Sequence, residues 1–313
     1  MGLTLASRIE GGLLGLLVGD ALGVPYEFHS PERIPPRAEI EMVPPVGFLR
    51  AHRGVPTGTW SDDGALALAL LDSLLLTKGG LDLPDFASRM LDWFERGAYT
   101  PDGRVFDVGN QTARAFSLLR EGESPETSGP RSERENGNGS LMRVLPLALV
   151  HRGSLEEIVQ LAERQSLPTH GHVRSLVCCA FYCVWARFEL EGKTDGFDRA
   201  ATELRRIYAG DEARLEVLEF HVRPENTSPG GGSGYVVDTL RSARDVLSEP
   251  SYEAAMKAAI ALGHDTDTTA CVAGGIAGIR HGASAIPERW RVALRGENVV
   301  GPMLSRLLST VPR

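Results

Sequence analysis

The sequence predicts an all-α fold, a single compact multi-helix bundle. Three observations carry this prediction. Apolar residues recur with a helical period along almost the whole 313-residue chain. Runs that alternate polar residues with β-branched apolar ones are scarce. Two helices are so apolar, or so poor in bulky side chains, that only an enclosing bundle buries them. The periodicity places helices at Ser7–Leu22, Ala65–Thr77, Asp85–Arg96, Gly109–Arg120, Leu141–Val150, Leu155–Gln165, Val173–Leu190, Phe197–Tyr208, Tyr235–Leu247, Tyr252–Ala261, Thr268–Arg280 and Val299–Leu308. The helix from Ala65 (ALALALLDSLLL) is apolar almost all round and reads as central. The helix from Thr268 carries Ala270, Ala273, Gly274, Gly275, Ala277 and Gly278, so a neighbouring backbone is expected to approach it closely enough to offset the entropy cost of its glycines.

Bulk composition narrows the function classes. Hydrophobic content of 42% supports a sizeable core, and a net charge of −8 with a pI near 5.6 argues against a nucleic-acid scaffold. The apolar N-terminal stretch has no basic segment before it and no cleavage site, and the run Ala65–Leu76 is too short to span a bilayer. Neither a signal peptide nor a membrane role is expected. Cys178, Cys179, Cys183 and Cys271 lack a CxxC pair and read as buried thiols rather than zinc ligands, which suits a reducing cytoplasm. Residues 29–58, rich in proline, read as an ordered surface excursion. Residues 121–139 are polar and turn-rich, and the stretch to about 136 is expected to be mobile. The whole chain, 1–313, reads as one domain.

Two of the predicted helices begin with paired acids and a hydroxyl. GTWSDDG sets Ser61, Asp62 and Asp63 at the head of the central helix, and GHDTDTT sets Asp265, Asp267 and Thr268 at the head of the small-residue helix. One Asp or Ser is an ordinary N-cap and a second acid gains a little from the helix dipole. Four carboxylates gathered in a core, however, repel one another or take up protons, and a divalent cation is the usual remedy. The ligands on offer are all oxygen, which suits Mg²⁺ or Mn²⁺. Asp265 and Asp267, two apart in an extended approach to the helix, point to one side, whereas adjacent Asp62 and Asp63 diverge and can serve two different ions.

Further candidates are weaker singly. Asp20 lies within the first helix, most simply as a buried acid bonded to backbone. Glu27 follows Gly23 and Pro25 beyond the helix end, free to project into a cleft. GNGS, Gly137 to Ser140, is a glycine-rich turn opening an apolar helix, a natural cradle for phosphate. Asp107 stands before a helix as an N-cap would; His170 and His172 precede another. Tyr235 sits at the mouth of a glycine-rich loop, where its ring can pack on a base or staple the helix start.

Taken in order, GDALGVPYE, GTWSDD, DVGNQT, GNGSLMRVLPLAL, the TH of PTHGH, and GHDTDTTACVAGGIAG resemble the ADP-ribosylglycohydrolase family from about residue 8 to about residue 282. The resemblance implies a compact all-α fold with a centre of two Mg²⁺ or Mn²⁺ ions. It assigns Ser61, Asp62 and Asp63 to one ligand group and Asp265, Asp267 and Thr268 to the other. It implies that Glu27 closes over the distal ribose, that Gly137, Asn138, Gly139 and Ser140 lie along the diphosphate, that Asp107 stands near the acceptor, and that His170 and, more loosely, Tyr235 contact substrate. Ser61 stands where Thr is usual, Gly64 where Thr is frequent, and His264 where a small residue is common.

The reaction implied is hydrolysis of the bond between ADP-ribose and an acceptor, most often an arginine nitrogen, on an ADP-ribosylated protein or a small conjugate. Its transition state resembles an oxocarbenium ion. The ions are expected to orient the ribose hydroxyls and acidify a water, with Glu27 or Asp107 handling the proton. Two other readings remain open. His264–Asp265 spells the doublet of HD-type metal phosphohydrolases, and a family member can bind ADP-ribose without cutting it.

Overall fold

The computed structural model describes residues 2–311. Among the described residues fourteen α-helices follow one another: α1 (Leu5–Gly23), α2 (Asp62–Leu76), α3 (Leu83–Arg96), α4 (Asn110–Arg120), α5 (Leu145–Val150), α6 (Leu155–Ser166) and α7 (Val173–Leu190) make the first half. The second half holds α8 (Gly196–Ile207), α9 (Glu212–Glu216), α10 (Val236–Val246), α11 (Tyr252–Ala261), α12 (Thr266–His281), α13 (Glu288–Ala293) and α14 (Glu297–Ser309). Among the described residues there is no strand, only one antiparallel bridge between Gly137 and Tyr235. The fold is the predicted all-α bundle. The two unpredicted helices, α9 and α13, are five and six residues long, too short to display a period. Helix α5 starts at Leu145 rather than Leu141, because Pro146 suits only a first turn and residues 137–144 fold as successive turns.

The core is built on α1 and α12, which run antiparallel with their backbones touching. Gly11, Gly15, Gly19 and Gly23 recur every four residues and so form one stripe along α1. A β-carbon at the first three would fall on the carbonyl oxygens of Gly278, Gly274 and Ala270, and at Gly23 on the backbone of Asp267. Tyr252 and Tyr182 clamp the pair by donating to the Gly15 and Val272 carbonyls, each at 2.7 Å. By length and composition Leu5–Tyr26 would suffice to cross a membrane, but 89% of its apolar window is buried inside the bundle. This close packing fixes where the end of α1 meets the start of α12, and the candidate site lies there.

All four cysteines are free and buried. The excursion 29–58 packs Ile40, Met42 and Val55 inward. The stretch 121–139, expected to move, carries ties that composition does not reveal because each ends on a main-chain carbonyl. Gly129 N–H donates to Leu167 C=O at 3.0 Å, Gly171 N–H to Pro130 C=O at 2.9 Å, and Ser128 Oγ to Pro168 C=O at 2.9 Å.

Candidate metal centre and cleft

Three segments converge on one cleft of about 670 Å³: the end of α1 with the turn after it, the N-terminus of α2, and the N-terminus of α12. At α2, Ser61 is the N-cap and its Oγ accepts from Asp63 N–H at 3.3 Å. Asp20, fully buried on α1, reaches across and accepts from Ser61 N–H at 2.9 Å and Gly64 N–H at 2.8 Å. The helix end is thus satisfied from another helix, and Asp62 and Asp63 have no capping duty. Asp20 is a backbone-bonded buried acid, as read from sequence.

At α12 the arrangement differs from the extended approach expected from sequence. Asp265 occupies the N-cap position without capping, and Asp267 already lies in the first helical turn. Asp265 Oδ2 instead accepts from Asn138 Nδ2 at 2.8 Å, and Thr268 Oγ1 donates to Asp63 Oδ1 at 3.3 Å, linking the two helix heads. Carboxylate oxygens of Glu27, Asp265 and Asp267 lie within 4.8 Å of one another. Spacing had suggested one common side for the two aspartates; the helix start brings them together by a different geometry.

The cleft wall includes Glu27, Asp62, Asp63, Asp107, Gly137, Asn138, Gly139, His170, Asp265 and Thr268. Asp267 lies just behind this wall, fully buried. Ser61 also sits behind it, at the cap. Ser140 turns into the core, where it meets Ser166 Oγ at 2.8 Å and Cys179 Sγ at 3.4 Å. Tyr235 lines a neighbouring concavity, half-exposed, with the Arg174 guanidinium over its ring at 5.9 Å. The His170 ring packs so tightly on Gly139 that a β-carbon there would stand 2.8 Å from its Cε1. The glycine turn itself is held from behind by buried Arg143, which donates to the Gly139 and Gln165 carbonyls. Asp107 is not the cap of α4; Gly109 holds that position, ahead of Asn110. Asp107 faces His52 at 3.7 Å.

His52 was not foreseen. Its Nε2 lies 2.6 Å from Glu27 Oε2, and it comes from the proline-rich excursion, where a lone histidine carries no periodic or motif signal. Phe28, Gln111, Ser233 and Gly234 also join the wall unannounced.

Burial sets the electrostatics. It pushes the carboxyls of Asp62, Asp63 and Asp267 well above the ordinary range, and repulsion among the neighbouring acids adds to it. The same causes push Glu27 up to about 11, and burial takes Asp107 to about 6 and Asp20 to about 7. His170 falls to about 3 through burial and the nearby Arg143 charge, so it stays neutral. Asp63 Oδ2 and Asp267 Oδ2 are buried without any hydrogen-bond partner. Orphaned carboxylate oxygens in an all-oxygen cluster fit a hard divalent cation, which would supply the missing partner and the missing positive charge. His264, required by an HD-type reading, is in neither group of candidate ligands found among the described residues.

The sequence model of the ADP-ribosylglycohydrolase family matches residues 1–312. The chain is 30% identical over 308 residues to the ADP-ribosylarginine hydrolase Tri1 of Pseudomonas putida strain GB-1, covering 98% of this chain and 79% of that one. It is 30% identical over 286 residues to the ADP-ribosyl-dinitrogen reductase glycohydrolase of Rhodospirillum rubrum, covering 90% and 88%. A solved structure described as an ADP-ribosylglycohydrolase-related protein complex superposes with a TM-score of 0.76 at 29% identity, over 98% of this chain and 97% of that one. With the acid-lined cleft at two helix heads and a family match along almost its whole length, the chain belongs to the ADP-ribosylglycohydrolases.

Proposed function

We propose that the protein hydrolyses the bond between ADP-ribose and an arginine side chain on a modified protein, releasing ADP-ribose, with two Mg²⁺ or Mn²⁺ ions as cofactors. The observation that carries this reading is the set of buried carboxylates around the cleft, two of them with unpartnered oxygens. The arginine acceptor is supported by the name of the Pseudomonas putida relative. Ser61, Asp62 and Asp63 would hold one ion and Asp265, Asp267 and Thr268 the other. When bound, such ions lower the pKa of water and bind ribose oxygens.

The chain's own groups do the rest. Glu27 and Asp107, both beside His52 Nε2, supply the proton exchange that leaving nitrogen and attacking water require. The turn Gly137–Asn138–Gly139 lines the cleft where a diphosphate would lie; its Gly137 and Asn138 N–H groups already donate to Gln111 Oε1 and the Gly234 carbonyl, and its shape is kept by Arg143 and by Ser140 in the core. His170, held neutral, presents a hydrogen-bonding nitrogen to the same cleft. Tyr235 in the adjoining concavity offers a ring face to a base. We place the activity in the cytoplasm, in a chain working as one domain.

The test is a side-by-side assay on arginine-linked, serine-linked and O-acetyl ADP-ribose substrates. Fast release from the arginine-linked protein alone supports the reading. Faster release from either other substrate moves the acceptor assignment, and ADP-ribose binding without any release would replace hydrolysis with recognition.

A further inference from the structure

Two acids of the cleft wall, Glu27 and Asp107, meet at a third residue. His52 Nε2 is 2.6 Å from Glu27 Oε2 and 3.7 Å from Asp107 Oδ1, with one proton to share in the shorter contact. The ring is largely buried and lodged between two aromatic rings, Phe28 at 5.4 Å and Phe106 at 5.0 Å between centroids. Each of those phenylalanines is next in sequence to one of the acids. Its loop is fastened on both sides: Ala51 N–H donates to Pro25 C=O at 2.9 Å, near Glu27, and Arg104 donates to the Gly54 carbonyl, near Asp107.

Backbone conformation singles out the same place. Phe28, His52 and Asp107 all adopt left-handed φ values, +62°, +45° and +57°, which residues with a β-carbon seldom tolerate. Such conformations persist where the surrounding structure over-determines them, and they cluster at working sites. Glu27 belongs to two carboxylate groupings at once, one with His52 and Asp107 and the other with Asp265 and Asp267. An unrestrained glutamate after a helix end would have several rotamers to choose from; the imidazole removes that choice.

We propose that His52 is a positioning residue: its imidazole, bonded through Nε2 to Glu27 with Asp107 alongside, holds the Glu27 carboxylate toward the Asp265–Asp267 side of the cleft. This rests on the hydrolase reading above. It is a role for a residue of the excursion, outside the two ligand groups and outside the cleft wall.

The experiment compares His52→Phe, which keeps a ring between Phe28 and Phe106, with His52→Gln, which keeps a donor, in the native and Glu27→Gln backgrounds. His52→Phe should lower kcat for ADP-ribose release by about 10- to 100-fold, the usual cost of losing a group that orients an active-site residue. KM and Tm should stay close to native, and His52→Gln should recover part of kcat. In the Glu27→Gln background His52→Phe should cost nothing further, because there is no carboxylate left to hold. A native kcat in His52→Phe, or a full additional loss on top of Glu27→Gln, would overturn the proposal. An NMR signal from the shared imidazole proton, present in the native chain and absent in Glu27→Leu, which leaves no acceptor, reads the pair without turnover. Its absence from the native chain overturns the pairing itself. A native chain that shows this signal but releases no ADP-ribose overturns the hydrolase reading, and the catalytic role falls with it.

Discussion

The N-termini of α2 and α12 look alike in sequence and behave differently in the fold. Each offers two acids and a hydroxyl within a few residues. At α2 the capping work is done by Ser61 and, from another helix, by Asp20, so both acids that follow are free. At α12 the residue in the capping position does not cap; Asp265 turns to Asn138, and Thr266 is drawn off to the Gly23 carbonyl at 2.8 Å. A helix head normally uses its acids for its own N–H groups. Here one helix has that need met from outside and the other leaves its N-cap acid to a side-chain partner. Either way, carboxylates are released toward the same cleft.

The sharpest way to break this comparison is to neutralise one acid at each helix head. Asp62→Asn and Asp267→Asn should each reduce ADP-ribose release by more than about 100-fold, beyond the loss expected for a merely supporting residue. Each should also raise the metal-free Tm, because a repelling buried acid has gone. An asymmetric result, with one head dispensable, would separate the two groups.

Next comes the joint that aligns the heads. Gly15→Ala drives a methyl group into the Gly274 carbonyl, and overpacking of this kind costs roughly 1–3 kcal/mol or more. For a chain of this size we expect a Tm drop of several degrees by calorimetry, with weaker divalent-cation binding as the helix ends move apart. Asp20→Ala should come close behind, at about 1–3 kcal/mol, because buried N–H groups of Ser61 and Gly64 lose their acceptor. Denaturant unfolding measures it.

The fourth test uses pH. Glu27 has a folded pKa of about 11 against an ordinary 4.5, so in the metal-free chain its stabilising contribution is full below 4.5 and is lost as pH rises through 11. Cation binding needs the ionised forms and releases protons. Burial also holds the Asp62, Asp63 and Asp267 carboxyls well above the ordinary range, so the Tm gain on adding Mg²⁺ or Mn²⁺ should grow as pH rises from neutral into the alkaline range. A gain that shrinks over that interval contradicts the assignment. The smallest effect belongs to Ser61: Ser61→Ala should cost about 1 kcal/mol as a lost cap, and Ser61→Thr, which keeps the hydroxyl, almost nothing.

Much of this was legible in the chain because it depends on local pattern. Long helices announce themselves by period, and the acids of α2 and α12 stand out because two carboxylates exceed what a cap needs. The small residues of α12 foretold a close backbone approach, yet the matching stripe Gly11–Gly15–Gly19–Gly23 in α1 identifies the partner only once the pair is seen. Asp20 read as backbone-bonded, but which backbone it serves is a contact across 41 residues. His52 had no signal at all: its meaning comes from two phenylalanines and two acids brought from separate loops. The ties of residues 128–130 all end on main-chain carbonyls, two of them donated by main-chain N–H groups and one by the Ser128 hydroxyl, and composition is blind to such partners.

The central claim is that the two helix heads together form one divalent-cation centre that hydrolysis requires. Its most direct test is release of ADP-ribose from an arginine-ADP-ribosylated protein with Mg²⁺ or Mn²⁺, after EDTA, and after the ion is restored. The account predicts release that EDTA abolishes, that the ion restores, and that neither Asp62→Asn nor Asp267→Asn supports. Release that persists undiminished in EDTA, or in both variants, would contradict it.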